Sequence, residues 1–196
     1  MRVAILGPNA GRDAGSVYDD RWEIWGINSV HARRFNVSPR WTRMFNLHRL
    51  AHLERDCPEY VDWDATFSRR NPEIPIYVID SWNGLLKNEV LFPKQALDAK
   101  LPRNHYHASS FDWLVAYAVY LKAKRIDIHG AQFVVDGPGR EPISAQACLE
   151  YWCGYAEGKG IPVTPLKSCE LFNQYHLVRS NSLYGYDDVR MVEDRT

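Results

Sequence analysis

The chain has 196 residues, with 24 Lys+Arg against 24 Asp+Glu, and 45% of it is hydrophobic. That length reads as a single domain over residues 1–196, able to bury roughly 70% of its unfolded surface without disulfide or metal staples. The balanced charge argues against general disorder and against a polyanion-coating role, and leaves nucleic-acid binding through a local patch open.

Val3-Ala4-Ile5-Leu6 is a short apolar run, fitting a buried first strand and too short for a signal peptide. It ends in Gly7-Pro8-Asn9-Ala10-Gly11, a loop able to turn sharply and present backbone N–H groups. Asp13 to Arg21 is a polar connector with little helical pattern. Trp22 to Ile27 predicts a second strand, stopped by Asn28-Ser29, and Thr42 to Leu47 a third, ending around Asn46 and His48. Helical text follows from about Arg49 to Arg55, and Cys57 to Glu73 reads as irregular. Ile74 to Ile79 is a fourth strand ending at Asp80. Residues 81–105 hold an Asn-Gly pair, two prolines and one helical piece near Lys94–Lys100, the composition of a flap.

Ser109-Ser110-Phe111-Asp112 opens a helix running to about Lys122, capped by Ser109 with Asp112 in the capping-box position. Leu114, Val115, Ala118 and Leu121 mark its inner face. Arg125 to His129 is a strand ended by Gly130-Ala131-Gln132, and Asp136–Gly139 makes a turn. A helix from about Ile143 to Glu157 stops at Gly158 and Gly160, and Ile161 to Thr164 is the last clear strand. A tail spans 167–196. Alternation of strand and helix over 109–164 implies right-handed crossovers. The fold class is α/β: one Rossmann-like domain, a mainly parallel sheet of about six strands, and helices on both faces.

No apolar run approaches the ~18 residues of a membrane span, so no membrane partner is expected. Cys57, Cys148, Cys153 and Cys169 have no CxxC spacing and read as reduced thiols, which places the chain in the cytoplasm.

In open parallel sheets ligands bind at the carboxyl ends of the strands. Here those ends carry Gly7, Pro8 and Asn9; Asn28; Asn46 and His48; Asp80; Gly130 and Gln132; and Ser168. Amides and glycines at several ends suit a neutral ligand rich in donors and acceptors, such as a base or sugar, although both are also ordinary turn residues. The helix start at Ser109 and Ser110 could hold a phosphate as well as cap the helix. Gly7–Gly11 is neither GxGxxG nor a Walker loop, which weakens readings based on nicotinamide redox or P-loop phosphoryl transfer. Metal signals are weak and no metal ligand is assigned: His48 and His52 lack the Glu of HExxH, Asp62-Trp63-Asp64 is a short pattern common in turns, and no Cys/His set has zinc spacing. Glu150, on the helix of 143–157, is a candidate nucleophile or base on a sugar carbon. His48 and His129 are candidate acid–base groups, since imidazole titrates near neutrality.

The order of these motifs resembles the small bacterial sialyltransferases that use CMP-sialic acid and the related archaeal-type 6-hydroxymethylpterin pyrophosphokinases. The resemblance covers about residues 2–168. It implies a nucleotide held by Asn9, Asn28, Asn46, Ser109 and Ser110. Gly-Pro-Asn stands where the sialyltransferases have Gly-Pro-Ser, Ser110 stands for a glycine, and their catalytic histidine has no clear match. The text from Trp22 to Asn28, and from Leu149 to Trp152 with Gly154, Ala156, Gly160 and Ile161, is similar to uncharacterised small proteins of tailed bacteriophages. A phage origin would place the chain in the host cytoplasm. Glu150–Ala156 is also similar to the catalytic segment of nucleoside deoxyribosyltransferases, with a longer Glu-to-Gly spacing.

Three functions stay open. The first is an enzyme that binds a nucleotide or nucleotide-sugar and transfers or cleaves its glycosyl group, through Glu150 or His48. The second is a phage accessory protein that sequesters a nucleotide without chemistry. The third is a structural module that forms homo-oligomers through an aromatic stripe of Trp113, Tyr117 and Tyr120, which lie three or four apart on one helix.

Overall fold

In a computed structural model, residues 1–103, 105–134, 141–166, 169 and 171 are described. The strands are β1 (Arg2–Leu6), β2 (Trp22–Ile27), β3 (Arg43–Asn46), β4 (Ile76–Val78), β5 (Glu89–Leu91), β6 (Arg125–His129), β7 (Phe133–Val134), β8 (Glu141–Pro142) and β9 (Val163–Pro165). The helices are α1 (Leu50–Asp56), α2 (Pro58–Arg70), α3 (Lys94–Lys100), α4 (Ser110–Tyr120) and α5 (Ile143–Gly158). Seven strands form one sheet in the order β5-β4-β3-β2-β1-β6-β9, every pair parallel. β7 and β8 pair separately. The fold is Rossmann-like α/β, with seven strands rather than about six.

The central strand explains its own sequence. A parallel strand is covered on both faces, so it reads as a continuous apolar run. Val3, Ala4, Ile5 and Leu6 are all fully buried. Val3 and Ile5 join the core under α3, α4 and α5, while Ala4 and Leu6 join the core under α1 and α2. β6 breaks the pattern with Asp127 and His129, both buried. Tyr18 satisfies them: its hydroxyl donates to Asp127 Oδ2 at 3.2 Å and meets His129 Nε2 at 2.5 Å. Arg125 closes the network on Asp127 Oδ1 at 2.8 Å.

α4 begins as its sequence predicts. Ser109 and Asp112 form the reciprocal capping box, and Asp112 also accepts from the Ala108 amide at 2.9 Å and from His107 Nδ1 at 2.8 Å. The helix is buried beyond its expected inner face, because Ala116, Tyr117 and Val119 are enclosed too. With α5 and α3 packed beside it on the sheet, it has little solvent face left, which accounts for its near absence of charge.

Several expectations need correction. Cys57 to Glu73, read as irregular, contains the 13-residue helix α2, started by Pro58 at its first position. Its polar surface blurs the apolar period, yet Ala65 and Ser68 are buried and Phe67 packs on the core. Within 81–105, read as a flap, β5 adds an edge strand, and Trp82, Leu86, Phe92 and Leu97 are buried beside it. The proposed aromatic stripe is not an exposed surface: Tyr117 is buried, in ring contact with Trp25, Phe45, Tyr77 and Phe92. Trp113 lies against the His107 ring at 3.5 Å between centroids. The turn at 136–139, Ser168 and the tail from 172 lie outside the described residues.

Among the described residues, no helix is long and apolar enough to cross a membrane.

Candidate functional site

The chain leaves β1 toward β2, β3, β4 and β5 on one side and returns to β6 and β9 on the other. The sheet therefore reverses direction between β1 and β6. At such a switch point the loops after the two strands diverge and open a crevice. Register brings the strand ends level: Leu6 pairs with Gly26 on one side and with His129 on the other. Gly7–Asn9, Asn28 and Gly130–Gln132 consequently emerge side by side.

Gly130 makes the crossing possible. Its φ is +72°, and a Cβ there would stand 2.2 Å from the Ala10 nitrogen and 2.4 Å from the Asn9 carbonyl carbon. The β6 loop thus lies directly on the backbone of the β1 loop. Gly7 plays a different part: its amide donates to the His129 carbonyl at 2.9 Å, and its bare Cα receives the ring of Phe111 from the first turn of α4.

A cleft of about 360 Å³ lies over these strand ends. Pro8, Asn9, Asn28, His48, Gly130 and Gln132 line it, six of the residues singled out in the sequence. Its far wall comes from α1 and α2, through His52, Asp56, Cys57 and Tyr60, and Phe111 closes the α4 side. None of these last five was anticipated from sequence. A signal was present for two: His52 and Asp56 are four apart on one side of α1, and His48 stands four residues before His52.

Asn28 is the most informative residue of the cleft. It holds a left-handed φ of +52°, which asparagine tolerates better than most residues. Its amide is tied to the Phe45 carbonyl at 2.7 Å, so the side chain is fixed at the end of β2. The Oδ1 atom is buried and has no hydrogen-bond partner. A buried unsatisfied acceptor costs about 1–3 kcal/mol, and this one belongs to a residue that lines the cleft.

His48 is exposed by surface area, yet the atoms around its ring desolvate it. That desolvation, with the nearby charge of His52 second, holds its pKa below the usual imidazole range. It is thus the neutral form near pH 7, able to accept a proton.

Asn46 has another role. It is buried and donates to Asp64 Oδ2 at 2.8 Å. Asp64, second aspartate of the Asp-Trp-Asp pattern, also accepts from Ser29 at 3.1 Å and pairs with His31 Nε2 at 2.7 Å. This buried hub ties the ends of β2 and β3 to α2, and the Asn46 side chain accepts from the His48 amide at 3.4 Å. Asn46 thereby positions His48 from below the cleft.

Ser109 is used in the capping box and Ser110 is buried beside it. Neither is among the described residues lining the cleft. Glu150 accepts from Gln146 at 2.8 Å on α5 and does not line it either. His129 is buried against Tyr18, and burial lowers its pKa. Among the described residues no group of three or more His, Cys, Asp or Glu side chains could hold a metal.

Cys57, Cys148 and Cys153 are free thiols. Burial pushes the Cys153 thiol far above its ordinary range, so it behaves as an inert core side chain.

The chain matches no protein-family model, and no curated protein and no solved structure matches it.

Proposed function

We propose that the cleft between β1 and β6 binds the nucleoside part of a nucleotide or nucleotide-sugar, and that the protein transfers or cleaves its glycosyl group. The observation that supports this reading is the buried, unpartnered Oδ1 of Asn28, a residue that lines a cleft at the topological switch point. An acceptor there fits an exocyclic amino group or a sugar hydroxyl. Asn9 and Gln132 add amide groups of both polarities, and Tyr60 and Phe111 offer aromatic surface for a base. The volume lies at the lower end for small-molecule sites, as one nucleoside requires.

In this reading His48 is the general base. Its lowered pKa leaves it neutral at pH 7, and a base must be deprotonated to act. It would take the proton of an acceptor hydroxyl or water as that oxygen attacks the anomeric carbon and the glycosidic bond breaks. Glu150 has no place in the described wall of the cleft, so the chemistry is assigned to His48 alone.

The test combines thermal shift with mass spectrometry over a panel of nucleosides, nucleotides and nucleotide-sugars. Stabilisation with a changed ligand mass, abolished in His48→Ala, is the expected result. Stabilisation with an intact ligand, across all acceptors, would favour sequestration. No shift with any nucleoside-bearing ligand at millimolar concentration, where weak binding already stabilises, would overturn the reading.

A further inference from the structure

A second cavity of about 430 Å³ adjoins the first, and Asn9 and Gln132 line both. Its remaining wall contains Arg12, Arg33 and Arg34, with no acidic residue. Arg12 follows the β1 loop; Arg33 and Arg34 follow the 3-10 turn Val30–Ala32 after β2. None of the three guanidinium groups has a hydrogen bond or ion pair among the described residues. By contrast Arg21, Arg43, Arg55 and Arg125 each hold a carboxylate. In a chain with net charge zero, three unneutralised cations around one basin form a local field. Like charges repel unless an anion sits among them.

The first crossover sharpens the point. Residues 7–21 contain no helix, so no helix N-terminus faces the end of β1, where Rossmann-like proteins commonly seat a phosphate. The arginines stand at that location instead, and guanidinium forks suit phosphate oxygens.

We infer that Arg12, Arg33 and Arg34 form a subsite for the phosphate chain of the ligand, with two or more phosphates, while its nucleoside occupies the neighbouring cleft at Asn28. This rests on the proposed function for the identity of the attached group, though not for the anion site itself. Three cations match a di- or triphosphate better than a dianionic monophosphate. The shared residues Asn9 and Gln132 would lie where the sugar joins the phosphates.

Calorimetry on the full chain tests this with four probes: inorganic pyrophosphate, orthophosphate, a nucleoside, and the matching nucleoside diphosphate. Pyrophosphate is expected to bind more tightly than orthophosphate and to weaken as salt is raised. Arg12→Ala and the double variant Arg33→Ala/Arg34→Ala should each weaken pyrophosphate and the nucleoside diphosphate at least about tenfold, the effect of losing a charge-assisted bond. The bare nucleoside should bind unchanged in them. All three side chains are exposed, so the variants should fold, and unchanged circular dichroism checks this. Pyrophosphate affinity that survives these substitutions would overturn the inference. So would an oligonucleotide that binds through the same arginines and excludes no small phosphate. Arginine-dependent pyrophosphate binding with no nucleoside binding would leave the subsite standing and sink the nucleoside reading; the converse pattern would do the reverse.

Discussion

Gly130→Ala tests the geometry of the switch point most directly. The added Cβ would lie 2.2 Å from the Ala10 nitrogen and 2.4 Å from the Asn9 carbonyl carbon, both backbone atoms that no rotamer change can withdraw. The residue must also keep a φ of +72°, which costs a residue with a Cβ about 1–2 kcal/mol. Overpacking adds about 1–3 kcal/mol, so the total is about 2–5 kcal/mol. For a chain of this length each kcal/mol moves Tm by about 2–4 °C, which gives a fall of about 4–20 °C. Gly154→Ala is the matched control. Gly154 lies inside α5 with nothing within 4 Å of its Cβ position, so the same chemical change there should stabilise by about 0.5–1 kcal/mol. Differential scanning calorimetry of the two variants reads opposite signs. If the β1 loop moves aside to relieve the clash, Asn9 moves with it, and ligand affinity falls in place of Tm. A Gly130→Ala protein with both wild-type Tm and wild-type ligand affinity would refute the close-approach argument.

Other expectations follow from the same contacts. Asn28→Gly keeps the left-handed backbone and removes the unpartnered Oδ1; it should leave the unliganded protein as stable or more so, while weakening nucleoside binding about tenfold by calorimetry. Asp112→Ala breaks the α4 capping box and takes the carboxylate away from donors on His107, Ala108 and the buried Ser109, so urea denaturation should show a loss of roughly 3 kcal/mol. Burial lowers the pKa of both His48 and His129 below the ordinary 6.5, so the folded state resists protonation. Stability should be full above pH 6.5 and decline as pH falls below it, because the unfolded chain takes up protons first; His129→Gln should flatten that slope in denaturation curves at stepped pH. With His48 as base, turnover should persist below pH 6.5 before it falls, and a pH–rate profile that instead rises toward acid would count against that role.

How much could be read without the fold is clear from particular residues. β1, β2 and β6 were legible because parallel central strands leave their mark as short apolar runs bounded by Gly, Asn or Gln. The α4 cap was legible because a capping box is a local pattern of four residues. The polar strand ends followed from the same reading, and six of the singled-out residues do line one cleft. α2 escaped notice because most of its surface is polar and its few buried positions include Asp64 and Ser68, which satisfy their polarity through distant partners. Sequence periodicity does not register a carboxylate buried among Ser29, His31 and Asn46.

The sequence by itself determined the central strands and the capped helix α4, since those follow from local apolar runs, capping and glycine, but not α2 or β5. The tertiary structure decided which strand ends are neighbours. β1 lies beside β6, its paired residues 123 positions further along the chain (Leu6 with His129), so whether Asn9, Asn28 and Gln132 meet depends on strand order and register rather than on any pattern along the chain. It also separated residues that look alike as text. Asn28 is left with an unpartnered oxygen at a cleft, while Asn46 spends its amide on Asp64. Arg12, Arg33 and Arg34 converge on one basin although their spacing carries no motif, because two loops from different strands deliver them there. Hydrogen-bond partners and charge neighbours are properties of space, and only the folded chain sets them.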